Sequence, residues 1–153
     1  MKKTDNTMEK YSKKKTPLVF LGGTCNKSTW RDELIPKLKI DYFNPVVEDW
    51  TPEDQKEEIK QRKTADFVLY VITPRMIGVY SIAEAVDDSN KRPEKTVFCY
   101  LSEDKDENKM KQKVEFSKQQ EKSLDSVKTM ITDNGGHCFD TLDEIAKFLN
   151  NPK

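Results

Sequence analysis

Few residues in this chain combine a reactive side-chain type with a spacing that could do chemistry. The first is Glu84, inside Gly78-Val79-Tyr80-Ser81-Ile82-Ala83-Glu84-Ala85. A carboxylate near a helix start, beside small residues that let a ligand approach, can attack the anomeric carbon of a sugar. The product is a glycosyl ester, as in retaining glycosidases. The same spacing has a plain structural use. Ser81-x-x-Glu84 is the pattern of a capping box, with Glu84 bonding the Ser81 amide. Glu84, Asp87 and Asp88 stand at i, i+3 and i+4 and share a helix face. Such a face can raise one carboxyl pKa or hold a cation. It is also the pattern of solvated surface acids.

The second group is Gly22-Gly23-Thr24-Cys25-Asn26-Lys27-Ser28. Glycines after an apolar run let backbone approach a phosphate or sugar, and a following helix N-terminus favours anions. Standard phosphate motifs are absent. No glycine precedes Lys27 as GxxxxGK[ST] requires, and GxGxxG does not occur. A simple strand-to-helix turn fits the pattern too. The third group is Asp49-Trp50, after Asn44-Pro45. Trp50 can stack on a base while Asp49 bonds a ribose hydroxyl, or Trp50 can pack on the next helix.

His137 is the only histidine. That excludes HExxH metal sites and any mechanism needing two histidines; its place in a short last strand suggests a structural role. Cys25, Cys99 and Cys138 are odd in number and lack CxxC spacing, which argues against a disulfide scaffold or a cysteine zinc site. Free thiols suit a reducing cytoplasm.

The elements that must position these groups follow from local pattern. Leu18 to Leu21 reads as a strand buried on both faces and closed by a Gly22-Gly23 turn. A helix follows, capped by Ser28 or Thr29, with Trp30, Leu34 and Leu38 on one stripe and Pro36 shortening it. Ile40 to Phe43 is a second strand. Thr51-Pro52-Glu53-Asp54 opens a charged helix to about Lys63. Asp66 to Ile72 is the clearest central strand. A loop over 73–80 leads to a helix over 81–90, then a strand over 96–101. Residues 102–122, with six acids and six lysines, read as a surface insertion or a solvated helix start, outside the core. Leu124, Val127 and Ile131 mark a helix capped at Asn134-Gly135-Gly136. His137 to Phe139 is the last strand, and Thr141-x-x-Glu144 opens the last helix.

Five strands alternating with five helices predict a small doubly wound, three-layer α/β domain with a mainly parallel sheet. Such folds bind ligands beyond the carboxyl ends of the strands. Two loops occupy that rim, 22–28 and 73–81.

Composition sets the outer bounds. The 153 residues carry 27 basic and 27 acidic side chains, for zero net charge. Nothing in that balance pulls the chain toward nucleic acid or an anionic membrane. No apolar run approaches the ~18–20 residues of a membrane helix. The hydrophobic fraction is low and the charged fraction high, at 35% each, so some segments should add nothing to the core. Residues 1–15, with six lysines, read as a disordered basic tail without a signal-peptide h-region, leaving one domain over 16–150.

Several short pieces occur in one order: Val19-Phe20-Leu21-Gly22-Gly23-Thr24, Thr29-Trp30-Arg31, Tyr42-Phe43-Asn44-Pro45, Asp49-Trp50, Ala65-Asp66, and the segment ending in Glu84-Ala85. Together, over residues 17–101 and a last helix to 149, they resemble the nucleoside 2-deoxyribosyltransferase-like family. The resemblance implies a flavodoxin-like fold. It also implies cleavage of a nucleoside N-glycosidic bond through an ester on a glutamate, whose place Glu84 takes. Gly22-Gly23-Thr24 matches the family's first substrate loop. Ala85-Val86 replaces the usual Leu-Gly. Gly78 and Val79 stand where well-studied transferases carry an acid. Glu58 is a loose match to a helix acid.

The expectation is thus an enzyme with Glu84 as catalytic residue. Gly22, Gly23, Thr24, Asn44, Asp49, Trp50, Gly78, Tyr80 and Ser81 are the candidate substrate contacts. The expected partner is a nucleoside or nucleotide, with no nucleic acid, membrane, metal or organic cofactor, and a homo-oligomer left open. The alternatives are a non-catalytic nucleotide-binding or sensing module and a protein-interaction domain.

Overall fold

The computed structural model describes residues 15–105 and 113–151. The expected tail lies outside the described residues except for Lys15. Seven strands and five α-helices are described: β1 Leu18–Gly23, α1 Trp30–Leu34, β2 Asp41–Phe43, α2 Pro52–Thr64, β3 Phe67–Ile72, α3 Tyr80–Lys91, β4 Thr96–Tyr100, β5 Glu103–Asp104, β6 Val114–Glu115, α4 Lys118–Asp133, β7 His137–Cys138 and α5 Leu142–Asn150. Five strands form one sheet in the order β2-β1-β3-β4-β7. Every pairing in it is parallel. This is the three-layer, flavodoxin-like order, with its switch between β1 and β3.

Alternation along the strands divides the core between the two faces. Val19, Leu21, Leu69, Val71 and Val97 face α1 and α5, where Trp30, Leu34, Ile145 and Leu149 are buried. Phe20, Val68, Tyr70, Ile72 and Phe98 face the other way, against Ala85 of α3 and Leu124 and Ile131 of α4. No described helix is long and apolar enough to cross a membrane.

Several expectations need correction. Gly22 and Gly23 are the last residues of β1, in register with Tyr70 and Val71, rather than a turn after it. The turn comes later, with Asn26 and Lys27 at positive φ. Gly23 has φ +113°, and a Cβ there would lie 2.2 Å from the Val71 carbonyl oxygen. Only glycine fits so close to the neighbouring strand. Helix α1 is short because Pro36 forces a 3-10 turn over Ile35–Lys37. Thr29 is its N-cap without a side-chain bond.

Residues 102–122 are not wholly outside the core. Strands β5 and β6 pair antiparallel, and Phe116 and Asp104 are buried. Two caps behave as their patterns predict. Thr51 and Asp54 form a reciprocal capping box. Gly135, at φ +99°, and Gly136 donate to Thr132 and Ile131 in a Schellman closure of α4.

Candidate active site

At the switch point, a cleft of about 260 Å³ is lined by Gly22, Gly23, Cys25, Arg31, Trp50, Glu58, Ser81 and Glu84, with Val46 and Val47 on its outer side. A hollow of about 150 Å³ shares Gly23, Cys25 and Ser81 with it and adds Thr24, Gly78 and Tyr80. The fold thus gathers eight of the ten candidate residues around two adjoining hollows. Asn44 and Asp49 line neither. Asn44 accepts from the Val46 amide at 3.1 Å and so shapes the turn that presents the two valines; Asp49 is exposed.

The strand-1 loop is held from below. Thr24 is buried. Its amide donates to Val71 O at 2.9 Å, and its hydroxyl accepts from the Thr73 amide at 2.9 Å. Its carbonyl accepts from Trp30 Nε1 at 2.9 Å and Arg31 Nη1 at 2.7 Å. Arg31 also donates through Nε and Nη2 to Leu21 O. Thr24 therefore ties β1 to β3 and α1. On the outer side, Ser28 Oγ and Thr73 Oγ1 donate to Asp104 Oδ2 at 2.5 and 2.6 Å.

Glu84 does not cap its helix. Helix α3 begins at Tyr80, with Val79 as an N-cap that makes no side-chain bond. The Val79 carbonyl accepts from Ile82 and Ala83. Ser81 is thus already the second residue of the helix, two positions past the N-cap that the box requires. The Glu84 carboxylate instead lies 3.5 Å from Arg62 Nε, with its side chain 11% exposed. Burial pushes its pKa up to about 7; Arg62 opposes the rise, and Glu58 and Asp88 add to it.

The three acids on α3 differ sharply. Asp87 is a solvent-facing carboxylate paired with Lys91 at 3.0 Å, a bond that holds its pKa below the usual range. Asp88 is fully buried. It accepts from Tyr70 Oη at 2.5 Å and from Arg62 Nε and Nη2 at 3.0 and 3.1 Å. Arg92 completes the group at 3.1 Å. Burial and Asp88 together hold the Tyr70 phenol well above its ordinary pKa. A shared face of solvated acids is therefore the wrong description for Asp88, whose charge is met by two guanidinium groups. Sequence reasoning overlooked Arg62. It stands twenty-six residues from Asp88, and no local period pairs them.

Of the remaining nucleophile types, Cys25 also lines the cleft and is exposed, whereas His137 and Cys99 do not line it. His137 packs on Phe148, with ring centroids 4.6 Å apart. Cys99 is buried, which raises its thiol pKa to about 12. A larger hollow, about 400 Å³, lies beyond β4 and is lined by Trp30, Tyr100, Asp104, Lys105 and Asp140 among others. It contains none of the candidate residues.

The model of a family described as nucleoside 2-deoxyribosyltransferase like matches residues 16–102. That span runs from just before β1 to just after β4. It includes Gly22, Gly23, Glu58, Arg62 and Glu84. No curated protein matches the chain.

Proposed function

The chain belongs to the nucleoside 2-deoxyribosyltransferase-like family, and from that premise we propose that it cleaves the N-glycosidic bond of a nucleoside or nucleotide through a covalent ester on Glu84. One observation carries this reading. A half-buried carboxylate and the glycine end of β1 line one cleft at the sheet's switch point. There backbone can approach a sugar while the carboxylate faces it. With its adjoining hollow, the cleft reaches the low end of the ~300–1,000 Å³ range of small-molecule sites.

Ionised Glu84 attacks C1′ as the C1′–N bond breaks, and its charge stabilises the oxocarbenium-like centre. The bonding pair leaves with the base, which takes up a proton. Glu58, the other carboxyl lining the cleft, is placed to relay that proton from solvent to the base. Water then hydrolyses the ester, or a second base attacks C1′ and completes a transfer. Trp50, 55% exposed at the mouth, stacks on the base. Gly22, Gly23 and Ser81 bound the sugar, with Gly78 and Tyr80 beside them. A carboxyl with a pKa near 7 is about half ionised at neutral pH, so the attacking form is available there.

The test is incubation with a panel of 2′-deoxynucleosides, ribonucleosides, their 5′-monophosphates and NAD, read out as free base. Release from at least one member, lost in Glu84→Gln, supports the reading. Saturable binding without release across the panel would assign the fold to a binding module instead.

A further inference from the structure

Arg62 has no place in the chemistry described so far, yet it makes more contacts to the α3 acids than any other side chain. It projects from the last turn of α2, 19% exposed, into the gap between α3 and β3. Its Nε donates to Tyr70 Oη and Asp88 Oδ2, both at 3.0 Å. Its Nη2 reaches Asp88 Oδ1 at 3.1 Å, and Asp87 Oδ2 and the Glu84 carbonyl at 3.4 Å. The Glu84 carboxylate lies 3.5 Å from Nε. Asp88 is locked in turn by Tyr70 and Arg92. A planar guanidinium held bidentately through Nε and Nη2 by a buried carboxylate has little freedom to leave.

We propose that Arg62 is a positioning residue that keeps the Glu84 carboxylate ionised and turned toward the cleft, with Asp88, Tyr70 and Arg92 fixing where Arg62 stands. The proposal rests on the nucleophilic role assigned to Glu84 above. The charge balance around that carboxylate explains why such a device is needed. Glu58 on α2 and Asp88 on α3 both favour the protonated form, while Asp87 is paired with Lys91. Tyr70 on β3 is neutral, and burial works in the same direction as the acids. Across the cleft stand Cys25 and Arg31, with the Arg31 guanidinium spent on the Leu21 and Thr24 carbonyls. Among the described residues, Arg62 is the only cation within ion-pair distance of Glu84. Without it, the carboxyl would be mostly protonated at neutral pH and a poor nucleophile.

Two measurements test this without depending on turnover. In the parent protein, the Arg62 Nε–H NMR resonance should titrate with the same midpoint as the Glu84 side-chain carboxyl, and it should lose that titration in Glu84→Gln. In Arg62→Gln, the Glu84 carboxyl midpoint should rise by a unit or more; in Arg62→Lys, which keeps the charge, it should stay within about half a unit. If activity is present, the rising limb of base release against pH should move up with the midpoint in Arg62→Gln. At pH 7 a one-unit rise cuts the ionised fraction about fivefold, while the high-pH plateau persists. A structural role alone would lower the melting temperature or the plateau and leave the limb in place. An Arg62 resonance that ignores the Glu84 titration, or an unmoved carboxyl midpoint in a folded Arg62→Gln, overturns the proposal. If the titrations are coupled but no panel member releases base, the Glu84 chemistry fails and the electrostatic link stands.

Discussion

Two hollows open at the carboxyl ends of the same parallel sheet, one beside β1 and β3 and the other beyond β4. The second is larger, about 400 against 260 Å³. Its charged side chains are mostly exposed and satisfied in ordinary surface pairs. Lys105 meets Glu33 at 3.3 Å and Lys128 meets Asp140, with Lys105 and Asp140 each 75% exposed. Pairs of that kind contribute little to stability. The smaller cleft holds a carboxylate at 11% side-chain exposure, drawn one way by burial and acids and the other by a single arginine. Perturbed ionisation in a cleft is a marker of function that volume is not. The smaller cleft is the better candidate site because it is where a charge is kept under tension.

The comparison breaks most directly at Glu84. Glu84→Gln should lower base release by a thousandfold or more, since a neutral amide neither attacks C1′ nor stabilises its charge. Asp140→Asn, in the larger hollow, should leave release within about twofold. Comparable losses in both variants would erase the distinction between the hollows.

A smaller effect is expected at the glycines. Gly23→Ala places a Cβ 2.2 Å from the Val71 oxygen at φ +113°, which should cost about 2 kcal/mol or more. For a chain of this size that is a melting-temperature drop of roughly 5 °C or more. Gly78→Ala should barely move the melting temperature, because nothing lies within 4 Å of the added carbon. Thermal denaturation of the pair reads this directly.

Next comes Trp50→Ala. Loss of a base-stacking face is worth ~1–3 kcal/mol, so KM should rise about tenfold with kcat little changed. A kcat loss at constant KM would place Trp50 outside base binding.

The smallest effect concerns pH and stability. The folded-state pKa of Glu84, about 7, lies above its ordinary value of 4.5. Its protonated form therefore favours folding. That contribution is complete below about pH 4.5 and disappears as pH rises through about 7. Glu84→Gln keeps a neutral side chain throughout. It should be the more stable of the two proteins at pH 8, by of order 1 kcal/mol after allowance for solvent around the site. The gap should close by pH 4.5, and denaturant titrations at the two pH values measure it.

The fold was largely legible in the sequence because its signals are local. Phe67–Ile72 is apolar throughout, as a strand covered on both faces must be. Thr51 with Asp54, and Gly135 with Gly136, announce a helix start and a helix end within four residues. The candidate site was legible only in outline. Glu84 and the two glycines stand out by type and by their place on the rim. The capping box at Ser81 misleads, because a helix start two residues earlier removes its geometry. The Arg62–Asp88–Tyr70 group and the Ser28–Thr73–Asp104 bonds join residues 8 to 76 positions apart. They exist only once the sheet order β1-β3-β4 brings α2, α3 and the β5 segment together. Side-chain pairs of that range leave no period in the sequence.

The central claim is that Glu84 forms the ester. A 2′-fluoro-arabino nucleoside slows ester breakdown by disfavouring the oxocarbenium-like centre, so the intermediate should accumulate. The protein is incubated with that analogue, quenched in acid, digested and mapped by mass spectrometry. The account predicts free base in solution and the fluorosugar on the peptide containing Glu84, with no adduct in Glu84→Gln. Base release with the sugar on another residue, or release undiminished in Glu84→Gln, would contradict it.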